Sequence, residues 1–207
     1  MTETLNGHQV RSQLSTRLLL QAAGDLVAEG GYASMTLATV GERAGYSRSL
    51  ATARFGSKGK LLEALVDHIV IRWDIATVLP RTEGRPGLES LMILLEAIRD
   101  QYERDPRSLR VLYALMFEAL GPGPELKARF VDFHRGMRAR IADTIRHGIE
   151  DGSVLAGVDA TVEAELIVAG LRGVGYQWRL DPEEFDPVPA LHLMIMSTRQ
   201  RLGTPGE

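Results

Sequence analysis

The stretch that decides the fold is Thr36–Leu62, TLATVGERAGYSRSLATARFGSKGKLL. It contains two short helical segments around Gly45 and a Phe-Gly break before a longer helical pattern. Gly45 supplies the positive φ that a tight turn needs, and Ser47 is suited to cap the free N–H groups of the second helix. Two helices held at a fixed angle by such a turn can place the second one in the DNA major groove. The stretch therefore predicts a helix-turn-helix.

The rest of the chain also has helical periodicity, and no segment alternates as a half-buried strand does. Gly30-Gly31, Pro80 and the GPGP stretch at 121–124 are expected to end helices. The predicted helices are 9–29, 36–44, 47–54, 57–79, 88–104, 106–120, 125–150, 160–180 and 188–202. We therefore expect an all-α protein of about nine helices. Residues 1–60 would form a three-helix DNA-binding head with the start of a linking helix, and residues 61–207 a larger helical body.

Composition excludes several classes of protein. The 207-residue chain has no cysteine, so it has neither disulfides nor thiolate zinc sites. No apolar stretch is long enough to span a membrane, and the polar N-terminus does not have the pattern of a signal peptide. A cytoplasmic location is expected. Residues 1–60 carry seven Lys and Arg against four Asp and Glu, whereas the whole chain has a net charge of −3. A mildly basic head on an acidic body suits contact with phosphate, although so small an excess also fits ordinary scatter.

The stretch resembles the N-terminal DNA-binding domain of the TetR (tetracycline-repressor) family of bacterial transcriptional regulators. The resemblance covers residues 10–65, and beyond them it is architectural only. The matching residues are Gly31-Tyr32, Thr36, Leu37, Val40, Ala44-Gly45-Tyr46-Ser47, Phe55, Ser57-Lys58 and Leu61-Leu62. The chain departs from the family pattern at Gly41, Ala51, Thr52 and Gly59. These departures bear on individual DNA contacts rather than on the fold.

The exposed face of the second short helix is expected to meet DNA. Arg48 can donate to guanine or to phosphate, and sequence alone does not choose between them. The resemblance implies that Thr36 and Lys58 approach the phosphate backbone, and Arg54 could replace a phosphate contact that Thr52 no longer makes. Thr36, Ser47 and Ser57 are predicted helix caps and could serve as caps alone. The predicted DNA-binding residues are Thr36, Tyr46, Ser47, Arg48, Ser49, Thr52, Ala53, Arg54 and Lys58.

For the body, the resemblance implies effector binding and dimerisation through the last two helices. Small residues in the helix from Ala160 permit close helix approach, and the last helix has more apolar surface than one covered face requires. These features favour a homodimer, although both helices could instead be buried within their own chain. Aromatic and Met side chains are more often core than cavity lining. The candidates for an effector site are Trp73, Tyr102, Tyr113, Met116, Phe117, Phe133, His134, Met137 and Tyr176, together with Arg172.

The pattern favours a dimeric repressor that binds a near-palindromic operator in double-stranded DNA and is released by a small hydrophobic or amphipathic effector. An activator built on the same scaffold is the first alternative, and a small-molecule carrier with a vestigial head is the second. The five histidines show no metal-ligand spacing, and no catalytic motif emerges. We therefore expect no enzyme activity, no cofactor, no metal and no membrane partner.

Overall fold

A computed structural model describes residues 7–121 and 124–204, and within them the chain is all-α, as predicted. The helices are α1 Gly7–Ser34, α2 Leu37–Arg43, α3 Arg48–Phe55, α4 Lys58–Trp73, α5 Leu79–Thr82, α6 Gly87–Arg104, α7 Pro106–Glu118, α8 Pro124–Asp151, α9 Ala160–Leu180 and α10 Pro187–Leu202. A π turn, Asp74–Val78, joins α4 to α5. Counting α4, the π turn and α5 as one segment, the described residues form nine helical segments. One isolated antiparallel bridge, Val154 to Gly203, is the β pairing that these residues contain.

The chain forms two compact units. The first contains Met1–Val70 and Arg110–Lys127, and the second contains Ile71–Leu109 and Ala128–Glu207, each as far as the described residues extend. The boundaries between units therefore fall within α4, α7 and α8. The predicted division after residue 60 concerns function, and it stays a prediction.

The first unit is organised around α1, which supplies one wall of its core. Leu19, Ala23 and Val27 of α1 are buried, as are Val40 of α2 and Ala51 of α3. The predicted end of this helix at Gly30-Gly31 is partly wrong, because helical structure continues to Ser34. However, Gly31 has φ 73°, so the regular helix breaks at a predicted glycine.

The segment after α3 corrects a second boundary. One helix was expected from residue 57 to 79, but the α-helix ends at Trp73 and a π turn follows. Leu79 N–H donates to Asp74 O, five residues back. Pro80 then lies in the first turn of α5, where the missing N–H of proline removes no helical hydrogen bond. Pro80 is therefore accommodated inside a helical segment that continues to Thr82.

The second unit is a helical body in which α10 packs against α6 and α9. Leu91 and Leu95 of α6 and Leu191 of α10 are fully buried in its core. The N-terminus of α6 is fixed by α8, because the Asp151 carboxylate accepts from Gly87 N–H at 2.7 Å. This contact positions the start of α6 beside the last turns of α8.

Candidate DNA-binding face and body cavity

The turn between α2 and α3 has the geometry that the sequence predicts. Gly45 has φ 75°, and Tyr46 N–H donates to Gly41 O at 2.9 Å. Thr36 caps α2: its hydroxyl accepts from Thr39 N–H at 3.1 Å, while the Thr39 hydroxyl accepts from Thr36 N–H at 2.9 Å. This reciprocal pair satisfies two backbone donors at the helix start. The turn and the cap together fix the angle at which α3 leaves α2.

The expected side-chain cap at Ser47 is wrong. Ser47 does occupy the residue position before α3, but its hydroxyl makes no capping hydrogen bond and lies 2.9 Å from the Ser49 hydroxyl. Its backbone carbonyl instead accepts from Leu50 N–H at 3.1 Å. The predicted cap at Ser57 is present, since the Ser57 hydroxyl accepts from Lys60 N–H at 3.2 Å. Because Ser47 does not cap, its hydroxyl and that of Ser49 form a polar pair at the exposed start of α3.

Gly41 sets the distance between α2 and α3. A Cβ atom at this position would lie 2.8 Å from Ser47 O and 3.3 Å from Arg48 Cα. Contacts that short require the backbone to move, because neither partner is a flexible side chain. Gly41, one of the departures from the family pattern, thus lets α3 approach α2 closely.

The outward face of α3 is exposed, and its inward face is buried. Ala51 is fully buried, so it anchors the helix to the first unit. Ser49, Thr52 and Ala53 are exposed. The Arg48 side chain is 74% exposed and pairs with Glu42 at 2.7 Å. Exposed ion pairs of this kind contribute little to stability, so Arg48 can exchange Glu42 for another anion at low cost. Tyr46 is half-buried at the entrance to this face.

Two predicted DNA-binding cations are engaged inside the first unit. Arg54 donates to Ser12 Oγ at 2.7 Å and to Ser15 Oγ at 3.2 Å, so it ties α3 to α1. Lys58 Nζ donates to Tyr32 O at 2.7 Å and lies 3.7 Å from the centre of the Tyr32 ring. Burial lowers the pKa of Lys58, although the charge of Glu118 opposes that effect. Their internal partners give both residues a structural role that sequence reasoning did not anticipate.

The second unit carries a stripe of exposed apolar residues along α9, at spacings of three and four. The larger side chains are about half exposed or more: Val162 at 48%, Leu166 at 57%, Tyr176 at 51% and Leu180 at 71%. On α10, Leu193 is 69% exposed and Met196 50%. We call these six residues the α9–α10 stripe. They expose more apolar surface than is usual for a pair of helices that faces only solvent. Tyr176, expected in the effector site, belongs to this stripe.

Four of the predicted effector residues come together in the second unit. Arg172 Nε donates to His134 Nε2 at 3.0 Å, and Arg172 Nη2 contacts Met137 Sδ at 3.0 Å. The guanidinium lies 5.5 Å from the centre of the Phe133 ring. Because arginine only donates, His134 Nε2 must accept, and His134 Nδ1 carries the proton that it donates to Phe130 O at 2.8 Å. His134 is thus neutral in this arrangement.

The remaining predicted effector residues are distributed elsewhere. In the second unit, Tyr102 is buried and its ring meets that of Trp178 edge-on at 5.0 Å. Trp73 belongs to the same unit, and its buried indole N–H has no acceptor among the described residues. In the first unit, Tyr113 and Phe117 are 6.2 Å apart between ring centres, and Met116 is half-buried. The ten effector residues stay predictions.

A groove of about 940 Å³ lies in the second unit between the segment from α5 to α6 and the outer face of α8. Its volume is that of small-molecule binding sites. None of its residues was predicted, because its walls come from segments more than forty positions apart. The pattern that could have indicated it is the row of polar residues on one face of α8. The lining residues are Leu79, Thr82, Gly84, Arg85, Pro86, Ser90, Leu94, Gly136, Ala139, Arg140, Asp143, Thr144, His147 and Asp151.

In the described ranges, no three His, Cys, Asp or Glu side chains come close enough to hold a metal ion. None of the helices described has the length and apolarity that a bilayer-spanning helix needs.

Two family models match the chain. The model described as "Bacterial regulatory proteins, tetR family" matches residues 19–65, which contain α2 and α3. The model described as "BetI-type transcriptional repressor, C-terminal" matches residues 87–200, more than half of the chain. No curated protein matches the chain in a sequence comparison.

Solved structures share the fold at low sequence identity. The repressor SmeT of the Stenotrophomonas maltophilia multidrug efflux pump SmeDEF has a TM-score of 0.73 at 22% identity, over 92% of this chain and 91% of that one. FadR from Bacillus subtilis in complex with stearoyl-CoA has a TM-score of 0.77 at 16% identity, over 89% and 98%. A TetR transcription regulator from Haloarcula marismortui has a TM-score of 0.80 at 18% identity, over 93% and 100%.

Proposed function

Because the chain belongs to the TetR family of bacterial regulatory proteins, we propose that it is a ligand-responsive transcriptional repressor. It binds a near-palindromic operator as a homodimer, and a small hydrophobic or amphipathic effector releases it. The protein acts in the cytoplasm and is not an enzyme. The observation that carries the proposal is the outward face of α3, which presents Arg48, Ser49 and Thr52 to solvent on a helix anchored by buried Ala51.

The DNA contact is made by the first turn of α3. Arg48 and the Ser47–Ser49 hydroxyl pair lie at the helix start, where the backbone dipole favours a phosphate oxygen. Thr36 lies at the start of α2 and has an exposed side chain. Arg54 and Lys58 support the face from within through their contacts to α1 and Tyr32. Arg48 is therefore the side chain on which DNA affinity depends most.

The dimer is formed by the α9–α10 stripe. Burying six large apolar residues against a second copy would remove them from water and so drive association. Ala169 and Gly173, which are exposed on α9 between Leu166 and Tyr176, would let the two copies approach closely. A two-fold axis then presents two α3 helices to two half-sites, which accounts for a near-palindromic operator.

The effector acts through the body, because ligand and DNA must weaken each other's binding reciprocally if they favour different states. The fold neighbours include a repressor of a multidrug efflux pump and a regulator solved with stearoyl-CoA. The second of these neighbours binds an acyl-CoA, which supports a body that takes small molecules.

The proposal is tested by fluorescence anisotropy with the full-length chain and labelled DNA flanking its own gene. Saturable binding that unlabelled random DNA does not displace is expected. A panel of hydrophobic and amphipathic compounds is then added, and at least one should lower the affinity for DNA. No preference for the flanking DNA over random DNA would overturn the proposal.

A ligand carrier with a vestigial head is the second candidate function. It is favoured by one observation: Arg54 and Lys58, two of the predicted DNA contacts, have partners inside the first unit. The same anisotropy measurement separates the two candidates. A carrier would bind a compound of the panel and show no preference for the flanking DNA. If the protein binds this DNA, the promoter is fused to a reporter gene and the protein's own gene is deleted. Reporter expression should rise on deletion if the protein is a repressor and fall if it is an activator.

A further inference from the structure

The groove beside α8 has an uneven supply of hydrogen-bonding groups. Each of its two acidic residues already accepts a hydrogen bond from the protein. Asp151 accepts from Gly87 N–H at 2.7 Å and from Ser153 N–H at 2.9 Å, which holds its carboxylate at the start of α6. Asp143 accepts from Arg146 on its own helix at 2.6 Å. Asp151 thus holds the start of α6, and Asp143 is paired with an arginine of its own helix.

Its basic residues retain donors. Arg140 Nη1 donates to Asp74 at 2.5 Å, and Arg85 Nη1 donates to Glu89 at 3.0 Å. Each guanidinium carries five N–H groups, so each of these contacts leaves most of them for another acceptor. His147 adds a ring nitrogen 3.7 Å from Asp151 Oδ2, outside hydrogen-bond distance. Arg140 and Arg85 therefore retain N–H donors for a ligand in the groove.

The remaining lining is apolar and lies within the same groove. Leu94 is buried, whereas Leu79 is about half exposed on the wall that α5 supplies. Ala139 and Pro86 complete this surface. An acceptor-rich head and an apolar tail together match such a lining. A planar carboxylate suits a guanidinium best, because two parallel N–H groups can bind its two oxygens.

We propose that this groove binds an amphipathic carboxylic acid, whose carboxylate takes Arg140 from Asp74. The inference rests on the proposed function, since it names the chemical class of the effector. Asp74 is the first residue of the π turn that continues α4. Competition for Arg140 removes the ion pair that fastens this turn to α8. The effector thus acts on the helical segment that begins at Lys58 in the first unit.

The test is isothermal titration of the full-length protein with three probes of equal chain length: octanoate, octyltrimethylammonium and octanol. Octanoate should bind saturably and more tightly than the other two. Arg140→Gln should weaken octanoate binding by at least about tenfold, because hydrogen bonds to charged groups are lost. The matched control is Arg135→Gln on the same helix, which removes an exposed ion pair to Asp132 outside the groove and should leave affinity unchanged.

A second variant tests the competition. Asp74→Asn weakens the hold on Arg140, so it should raise the affinity for octanoate, whereas a purely structural role of the ion pair would lower it or leave it unchanged. Melting curves check that each variant folds. If Arg140→Gln does not fold, Arg85→Gln takes its place, because its side chain is 55% exposed and should weaken octanoate binding in the same direction.

Three results would overturn the inference: equal affinity for the three probes, an unchanged affinity in the Arg140 or Arg85 variant, or no gain in the Asp74 variant. The proposed function fails separately. Suppose that the protein binds the DNA flanking its gene, that a neutral or cationic compound releases it, and that octanoate does not bind. The proposed repressor function would then be supported, and the proposed carboxylate site in the groove would be wrong.

Discussion

At the scale of single residues, the DNA-binding account depends on Arg48. Its side chain is 74% exposed and held by one exposed carboxylate, so it contributes little to folding. Arg48→Ala should lower operator affinity by about 1–3 kcal/mol, the range for one good arginine contact to DNA. Fluorescence anisotropy measures the affinity, and circular dichroism checks the fold.

The control is Arg135→Ala, which removes an equally exposed arginine from α8. It should bind the operator as the unaltered protein does. A folded, dimeric Arg48→Ala protein with unchanged operator affinity would show that α3 meets DNA through other side chains or not at all.

His134 gives the body a stability that depends on pH. Burial lowers the pKa of His134 below its ordinary 6.5, and the charges of Arg172 and Arg138 lower it further, while the hydrogen bond to Phe130 opposes them. As the pH falls below about 6.5, the unfolded chain binds a proton that the folded chain does not. The free energy of unfolding should therefore decrease with falling pH, until the pKa of folded His134 is also passed.

Urea unfolding at a series of pH values measures this dependence. His134→Gln should remove it, because a glutamine amide can accept from Arg172 and donate to Phe130 O without titrating. His192→Gln removes an exposed histidine of α10 and serves as the control. An unchanged slope in the His134 variant would mean that other groups cause the pH dependence.

At the scale of helices, the spacing of α2 and α3 depends on Gly41. Gly41→Ala brings a Cβ atom to 2.8 Å from Ser47 O, so the two helices must separate. Overpacking of this kind should destabilise the protein by about 1–3 kcal/mol. Operator affinity should also fall, since the first turn of α3 moves with Ser47.

Gly136→Ala on α8 is the matched substitution, because a Cβ there meets nothing within 4 Å. It should be neutral or stabilise by up to about 1 kcal/mol through helix propensity. Thermal melting compares the two variants. If Gly41→Ala proves as stable as Gly136→Ala, then the close approach of α2 and α3 is not a constraint.

Most helices were predictable from sequence because glycines, prolines and polar caps mark their ends. Gly45 identified the turn before α3, and Thr36 identified the start of α2. The π turn was not predictable, because a proline such as Pro80 usually marks the end of a helix. The structure shows instead that Leu79 N–H donates to Asp74 O and that Pro80 lies in the first turn of α5. The groove could not be predicted for another reason. Tertiary packing brings Arg140 and Asp74 together, and no local sequence pattern encodes that contact.

At the scale of the whole molecule, the account requires two copies of the chain. Leu193 is 69% exposed at the centre of the apolar part of α10, so Leu193→Asp would place a charge in the proposed interface. The variant should sediment as a monomer and lose most operator affinity. Val131→Asp introduces the same charge at an exposed apolar residue of α8 and should leave the protein dimeric. A dimeric Leu193→Asp protein would exclude this part of the α9–α10 stripe as the interface.

The most direct test of the central claim is a footprint of the full-length protein on the DNA flanking its own gene, repeated over a range of salt concentrations. The account predicts protection of two symmetrically related half-sites, with an affinity that falls steeply as salt rises, because basic side chains displace counterions from phosphate. Absence of a protected site, or protection whose affinity does not change with salt, would contradict it.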